Sequence, residues 1–261
     1  MKPWSILFIV IAGLTILSLV IGESELFASE IPAPVASGQK VPVIVELFTS
    51  EGCSSCPPAD KVLAELEKNQ PIANATIIAL GEHVDYWNYL GWSDPYSSAT
   101  YSERQQGYAR ALKANTYTPQ MVVDGQVEFV GSNATKAQNI IAIATRAPKA
   151  NVSIVRLNHD RIKITATDIP ASKDKLDIVV AITETNLNSN VARGENAGHN
   201  LRHGTVVRHL HIAGEAPTAE AKLNFDPQWK RSNLRLVAFL QERTNRRILG
   251  ATVMDMVEPR P

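Results

Sequence analysis

The chain has 261 residues, 44% hydrophobic and 20% charged, and its 26 basic and 26 acidic side chains cancel. That is the composition of an ordinary soluble globular protein. With no long Lys/Arg run there is no polyanion-binding surface and no nucleic-acid partner is expected, while the length has room for two modest cores.

The N-terminus departs from that average. Lys2 precedes an apolar run from Ile6 to Ile21, interrupted by Gly13, Thr15 and Ser18. Glu23, Glu25, Ala28 and Ser29 follow, then a Pro/Ala/Ser/Gly stretch up to Lys40. The run lies between the roughly 7–15 residues of a signal-peptide core and the roughly 20 of a membrane span. Residues 1–30 are therefore expected to be a signal peptide, with an uncleaved membrane anchor as the alternative, and residues 31–40 a linker. Either reading puts the rest of the chain in the periplasm or outside the cell. A membrane partner is expected only if the leader is uncleaved.

From Val41 the elements alternate. Val43 to Phe48 is a near-continuous apolar run of strand length, and Ala59 to Lys68 carries Val62, Leu63 and Leu66 at helical spacing. Thr76 to Leu80 is a second strand, and a Tyr/Trp/Asp-rich segment runs from His83 to Ser98. A helix is expected over about 99–113, capped by Ser97 or Ser98. Asp124-Gly125 between Met121–Val123 and Val127–Val130 signals a hairpin, and Thr135 to Thr145 a third helix. The order strand, helix, strand, helix, strand, strand, helix is that of an α/β thioredoxin-like domain, expected over residues 41–147. Beyond Pro148, six or seven short alternating runs separated by polar turns predict an all-β sandwich-like domain over residues 150–258.

There are two cysteines, in Cys53-Ser54-Ser55-Cys56. Closing so short a loop constrains the unfolded chain by only about 2 kcal/mol, against about 4.7 for a hundred-residue loop. Reactivity or metal binding explains the pair better than stapling. The motif falls between a buried strand and a helix, which makes it a redox signature. Cys53 is expected to attack and Cys56, one residue deeper, to resolve. A helix dipole moves a thiol pKa little, so direct hydrogen bonds must hold the thiolate, and Pro57 and Pro58 donate none. The donors expected are the N–H groups of Ser54, Ser55 and Cys56.

Three further features gather around that centre. Thr118-Pro119 opens the third strand, which in the expected topology faces the Cys loop, and a cis bond there would present the Thr118 backbone to a bound chain. His83 and Asp85 leave the C-terminal end of the second strand on the same sheet edge, where either could take a thiol proton. Tyr86, Trp87, Tyr89 and Trp92 are expected to form a wall over the site, and Glu82 to be a solvated edge residue.

The segments Val45 to Asp60, His83 to Trp87 and Tyr117 to Val123, with Arg193 to Asn196 and Val206 to Arg208, resemble a family of exported bacterial proteins of unknown function. That family is assigned to the thioredoxin-like superfamily. The resemblance implies that fold and no reaction. Ser54-Ser55 stands where thioredoxin has Gly-Pro, so no redox potential carries over.

His199, His203, His209 and His211 are expected to be surface histidines, although His209 and His211 would share one strand face. Arg193, Glu195, Asn196 and Arg208 are candidates for a polar network in a loop facing the Cys domain, with ordinary turn chemistry as the alternative. Thiol–disulfide exchange with exported protein thiols or disulfides is the function expected, with no cofactor. Cu(I) handling by the same cysteines, with or without His83, and a partner-binding scaffold with an inert disulfide are the alternatives.

Overall fold

The computed structural model describes residues 40–256. The expected leader, residues 1–30, and all but the last residue of the expected linker lie outside that range. No helix among the described residues is long and apolar enough to cross a membrane.

The first half places its elements close to the positions that periodicity predicts. Strand β1 (Val41–Thr49) leads through the Cys loop into α1 (Pro57–Asn69), then β2 (Ala75–His83). Pro57 and Pro58 occupy the first turn of α1, where their missing N–H groups go unneeded. The helix ends at Gln70, in the left-handed region at φ 45°. The Gln70 side chain then clasps Ile77 of β2, donating to its carbonyl at 2.9 Å and accepting from its N–H at 2.8 Å. Helix α2 (Ala99–Leu112) is capped by Ser98, whose Oγ accepts from Thr100 N–H at 3.2 Å. Strands β3 (Gln120–Val123) and β4 (Val127–Val130) meet at Asp124 and Gly125, both at positive φ. Helix α3 (Ala134–Ala144) starts from Asn133, which accepts from Lys136 N–H at 2.9 Å.

The second half consists of β5 (Asn151–Arg156), β6 (Arg161–Thr167), β7 (Leu176–Asn190), β8 (Asn200–Glu215), β9 (Thr218–Lys222), β10 (Leu234–Glu242) and β11 (Ile248–Asp255). Strands β7 and β8 are 15 and 16 residues long and carry two register shifts between them.

The assembly overturns the expected fold class. Instead of an α/β thioredoxin-like domain followed by a sandwich, the described chain is mainly β, with three α-helices and one mixed eight-stranded sheet. Its order is β11-β10-β7-β8-β2-β1-β3-β4. Strands β5, β6 and β9 form a separate antiparallel sheet. The two halves meet where β8 runs parallel to β2, with Gly81 opposite Val206. The physical reason is the edge of β2. A buried parallel strand with one flank unpaired leaves backbone donors and acceptors to satisfy, and β8 pairs with that flank at Gly81. Gly81 permits the approach, since a Cβ there would sit 2.4 Å from the Thr205 carbonyl oxygen.

The cores follow the sheet rather than the expected boundary. Val43, Val45, Leu47 and Ile77 pack against Leu63, Leu66, Ala137 and Ile141 of α1 and α3. On the other face, Ile44, Ile78 and Leu80 join Tyr101 of α2 with Val207, Val237 and Phe239 of the second half. At roughly 1.5–3 kcal/mol for each fully buried large apolar side chain, that cluster ties the halves together far more strongly than a few hydrogen bonds would. The three-stranded sheet lays Ile162 and Ile164 on Ile178, Val180 and Leu236.

Candidate functional site

Strand β1 ends at Thr49, and the chain turns sharply before α1. Gly52 N–H donates to Ser50 Oγ at 3.0 Å, and Cys53 N–H to the Ser50 carbonyl at 3.2 Å. Cys53 and Cys56 are joined as a disulfide with their Cα atoms 5.4 Å apart. Cys56 is the N-cap of α1, and its carbonyl accepts from Asp60 N–H at 3.1 Å.

Both cysteines are 0% exposed, whereas Ser54 and Ser55 between them are open to solvent. An accessible Cys53 beside a shielded Cys56 is therefore not what the structure holds. The cover comes from two directions. Trp87 and Trp92, between β2 and α2, lie against Gly52 and Glu51: a Cβ on Gly52 would stand 3.1 Å from Trp87 Cβ, and Trp92 Nε1 donates to Glu51 Oε2 at 2.8 Å. The connection between β7 and β8 closes the other side. Asn196 is buried and its Nδ2 donates to the carbonyls of Glu51, at 2.8 Å, and Cys53, at 3.0 Å. Glu195 Oε2 accepts from Ser54 N–H at 2.9 Å. Gly194, at φ 79°, lets the loop pass this close to Trp92. One of the N–H groups expected to serve a thiolate is thus already taken by a carboxylate.

Beneath the loop lies a buried group of two His–carboxylate pairs. His83 Nδ1 is 2.7 Å from Asp94 Oδ2, and His203 Nε2 is 2.9 Å from Glu51 Oε1. The two imidazoles cross edge to face at 4.9 Å, and the Tyr96 ring stands 5.4 Å from each. Asp94 also accepts from the N–H groups of Glu51 and Tyr96 at 2.8 and 2.9 Å. Burial pulls the His83 pKa down, but the Asp94 charge and hydrogen bond, then Asp60 and Glu51, outweigh it and leave it raised. Burial pushes the Asp94 carboxyl up, and His83 with the two backbone donors brings it below its ordinary value. Asp60 lines a cavity of about 10 Å³ with His83, His203, Gly81 and Thr205. Burial raises its carboxyl, and the two histidines offset this only in part.

The remaining residues singled out from the sequence divide. The Thr118–Pro119 peptide is cis, and Pro119 is buried. Thr118 Oγ1 accepts from Trp87 Nε1 at 2.8 Å, so the β3 entrance and the Trp segment meet. Asp85 turns to α2 instead, accepting from Ser102 Oγ at 2.6 Å. Tyr86 and Tyr89 are 40% and 80% exposed, so of the four aromatics Trp87 and Trp92 provide the wall.

Glu82 is no solvated edge residue. It is fully buried, 3.4 Å from Arg104 Nε, and burial together with nearby Glu46 drives its carboxyl well above the ordinary range. Arg104 donates to Glu46 Oε1, Tyr108 Oη and Gln241 Oε1 at 2.5, 2.9 and 3.0 Å. Of the expected polar network, Glu195 and Asn196 reach the Cys loop. Arg208 faces Glu184 at 3.6 Å and lies over the rings of Tyr96 and Trp229. His203 is buried rather than on the surface. His209 and His211 stack with centroids 5.0 Å apart, and burial with the neighbouring His209 holds His211 below its ordinary pKa.

Glu51, Asp60, Asp94 and His203 escaped sequence reasoning. A signal existed for His203: it alternates with Thr205 and Val207, which shares one strand face with apolar company. Among the described residues, no group of three or more His, Cys, Asp and Glu side chains is arranged to hold a metal ion.

Residues 44–241 match the model of a family described as a protein of unknown function, DUF1223. The chain belongs to that family. The DUF1223 chain is also similar to the X-ray structure of a structural-genomics target protein from Agrobacterium tumefaciens, at 28% identity and a TM-score of 0.68. That match covers 85% of this chain and 98% of the other. A domain of the outer membrane lipoprotein Omp28 from Porphyromonas gingivalis matches at 12% identity and a TM-score of 0.22, over 41% of this chain and 88% of that one. No curated protein matches significantly.

Proposed function

We propose that the Cys53–Cys56 pair is a thiol–disulfide exchange centre acting on exported proteins. The observation that carries this reading is the setting of the pair. The two cysteines of the chain close a three-residue step between β1 and α1, above two buried His–carboxylate pairs and Asp60. A staple worth about 2 kcal/mol needs no proton-accepting groups beneath it.

In the exchange, a partner thiolate attacks Cys53 Sγ, a mixed disulfide forms, and Cys56 leaves as a thiolate that takes up a proton. The partner's second thiolate then attacks the mixed disulfide and releases Cys53. The partner is oxidised by two electrons and this chain is reduced by two. Asp60, whose N–H donates to the Cys56 carbonyl, and His83 beside it in the buried group both have raised proton affinity and are assigned the role of proton source.

Complete cover of both sulfurs means that exchange waits on opening. The two Asn196 hydrogen bonds are worth about 2 kcal/mol together at about 1 kcal/mol each. Breaking them leaves an open population on the order of a few per cent, which slows exchange without abolishing it. The same cover favours a second reading, an inert disulfide on a scaffold that binds a partner through another surface.

A trapping experiment separates the two. Cys56→Ala, reacted with a model protein that carries a disulfide, accumulates a mixed disulfide at Cys53 under the exchange reading, as the Cys53 thiolate displaces one substrate sulfur as a thiolate. Insulin reduction by dithiothreitol is accelerated by the native chain and not by Cys53→Ser. No trapped adduct and no acceleration support the inert disulfide.

A further inference from the structure

We propose that Glu195 and Asn196 form a latch that controls access to the Cys53–Cys56 bond and the acidity of the Cys53 thiol. The inference rests on the exchange reading for its biological use, but the latch is a property of the loop itself. Glu195 and Asn196 lie in the connection between β7 and β8, more than 140 residues from the Cys loop in sequence. Their three hydrogen bonds fall on three successive points of that loop: the Glu51 carbonyl, the Cys53 carbonyl and the Ser54 N–H. A segment serving only as a turn has no need of backbone partners on both sides of a reactive sulfur.

The two residues act differently. Asn196 is buried and supplies neutral donors, so it holds the loop down. Glu195 is exposed and supplies a carboxylate to Ser54 N–H, the donor next in the chain to Cys53. In the closed reduced form that N–H is withheld from the Cys53 thiolate, and a negative charge stands beside it. Both effects favour the thiol over the thiolate. Lifting the latch frees the donor, removes the charge and uncovers the sulfur in one movement. Glu195 is thus a positioning residue that keeps the centre quiet until the loop is displaced.

The test measures the rate at which dithiothreitol reduces the oxidised protein, and the pH profile of iodoacetamide alkylation of Cys53 in the reduced protein. In the reduction a dithiothreitol thiolate attacks the Cys53–Cys56 bond, and its second thiol closes the oxidised ring, so two electrons and two protons pass to the cysteines. Asn196→Ala speeds reduction on the order of tenfold. Glu195→Gln speeds it as well and moves the alkylation midpoint down by about one pH unit, whereas Glu195→Asp stays close to native. Unchanged reduction rates, or an unchanged alkylation profile in Glu195→Gln, overturn the proposal. Should Asn196→Ala fail to fold, the exposed Glu195 variants decide alone. Because both readouts use small reagents, they report on the latch even if insulin reduction and adduct trapping both fail.

Discussion

Glu51 Oε1 lies 2.9 Å from His203 Nε2, two buried groups separated by 152 positions in the chain. This contact ties the Cys loop, two residues before Cys53, to the beginning of β8, at the fourth residue of the strand, and the other Glu51 oxygen is held by Trp92. Removing the imidazole leaves a buried carboxylate oxygen without its partner. His203→Ala should therefore cost about 3 kcal/mol in urea unfolding, as breaking buried pairs does. A loss under half that size would show that the pair is readily rehydrated.

The other pair gives a pH dependence of defined sign. His83 has a folded pKa above its ordinary 6.5, so its contribution is complete below that value and is lost as pH rises through the folded pKa. Asp94 is depressed below 3.8, so its contribution holds above that value and is lost as pH falls through its folded pKa. Glu82, raised from 4.5, adds a separate decline that starts lower on the pH scale. Above about pH 4.5 the unfolding free energy should thus fall with rising pH, and His83→Gln should flatten the part above about pH 6.5. An identical slope in both proteins above that pH would contradict the assignment.

Arg104 sits between two buried carboxyls, Glu46 and Glu82, and touches Tyr108 and Gln241. Arg104→Met should destabilise the fold by about 3–5 kcal/mol, because it removes the cation beside Glu46 and leaves that buried carboxylate with the Tyr108 hydroxyl as its donor. Glu82→Gln should be neutral or stabilising at pH 8, since neither Glu82 oxygen accepts a hydrogen bond and its burial already favours the uncharged acid. Urea unfolding of the two variants side by side gives the comparison.

Gly81 is where the two halves of the large sheet touch. Gly81→Ala places a methyl 2.4 Å from the Thr205 carbonyl oxygen, so β8 must shift. The expected cost is about 1–3 kcal/mol, with a single unfolding transition that moves as a whole. Two separate transitions in the variant would show that the halves hold together independently of this junction.

What the sequence revealed and what it hid have a common cause. Helix and strand positions follow from local spacing, as with Val62, Leu63 and Leu66 of α1 or the Asp124-Gly125 turn between β3 and β4. The Cys53/Cys56 step between β1 and α1 was legible for the same reason. Sheet order is a long-range property. Nothing near Gly81 announces that Val206 lies beside it, and so a thioredoxin-like domain with a separate sandwich was expected where one sheet crosses both halves. The buried acid and histidine cluster was hidden likewise. His203 reads as a surface residue and nothing marks Glu51 or Asp94, because the partners that join them into one cluster lie elsewhere in the sequence.

The exchange centre stands or falls on its redox equilibrium with glutathione, measured by quantifying free Cys53 and Cys56 thiols across defined ratios of reduced to oxidised glutathione. A working centre equilibrates with a midpoint within the span of known exchange proteins, from about −120 to −270 mV. A pair that stays oxidised at every ratio, with a midpoint below about −300 mV, behaves as a structural disulfide and contradicts the proposal.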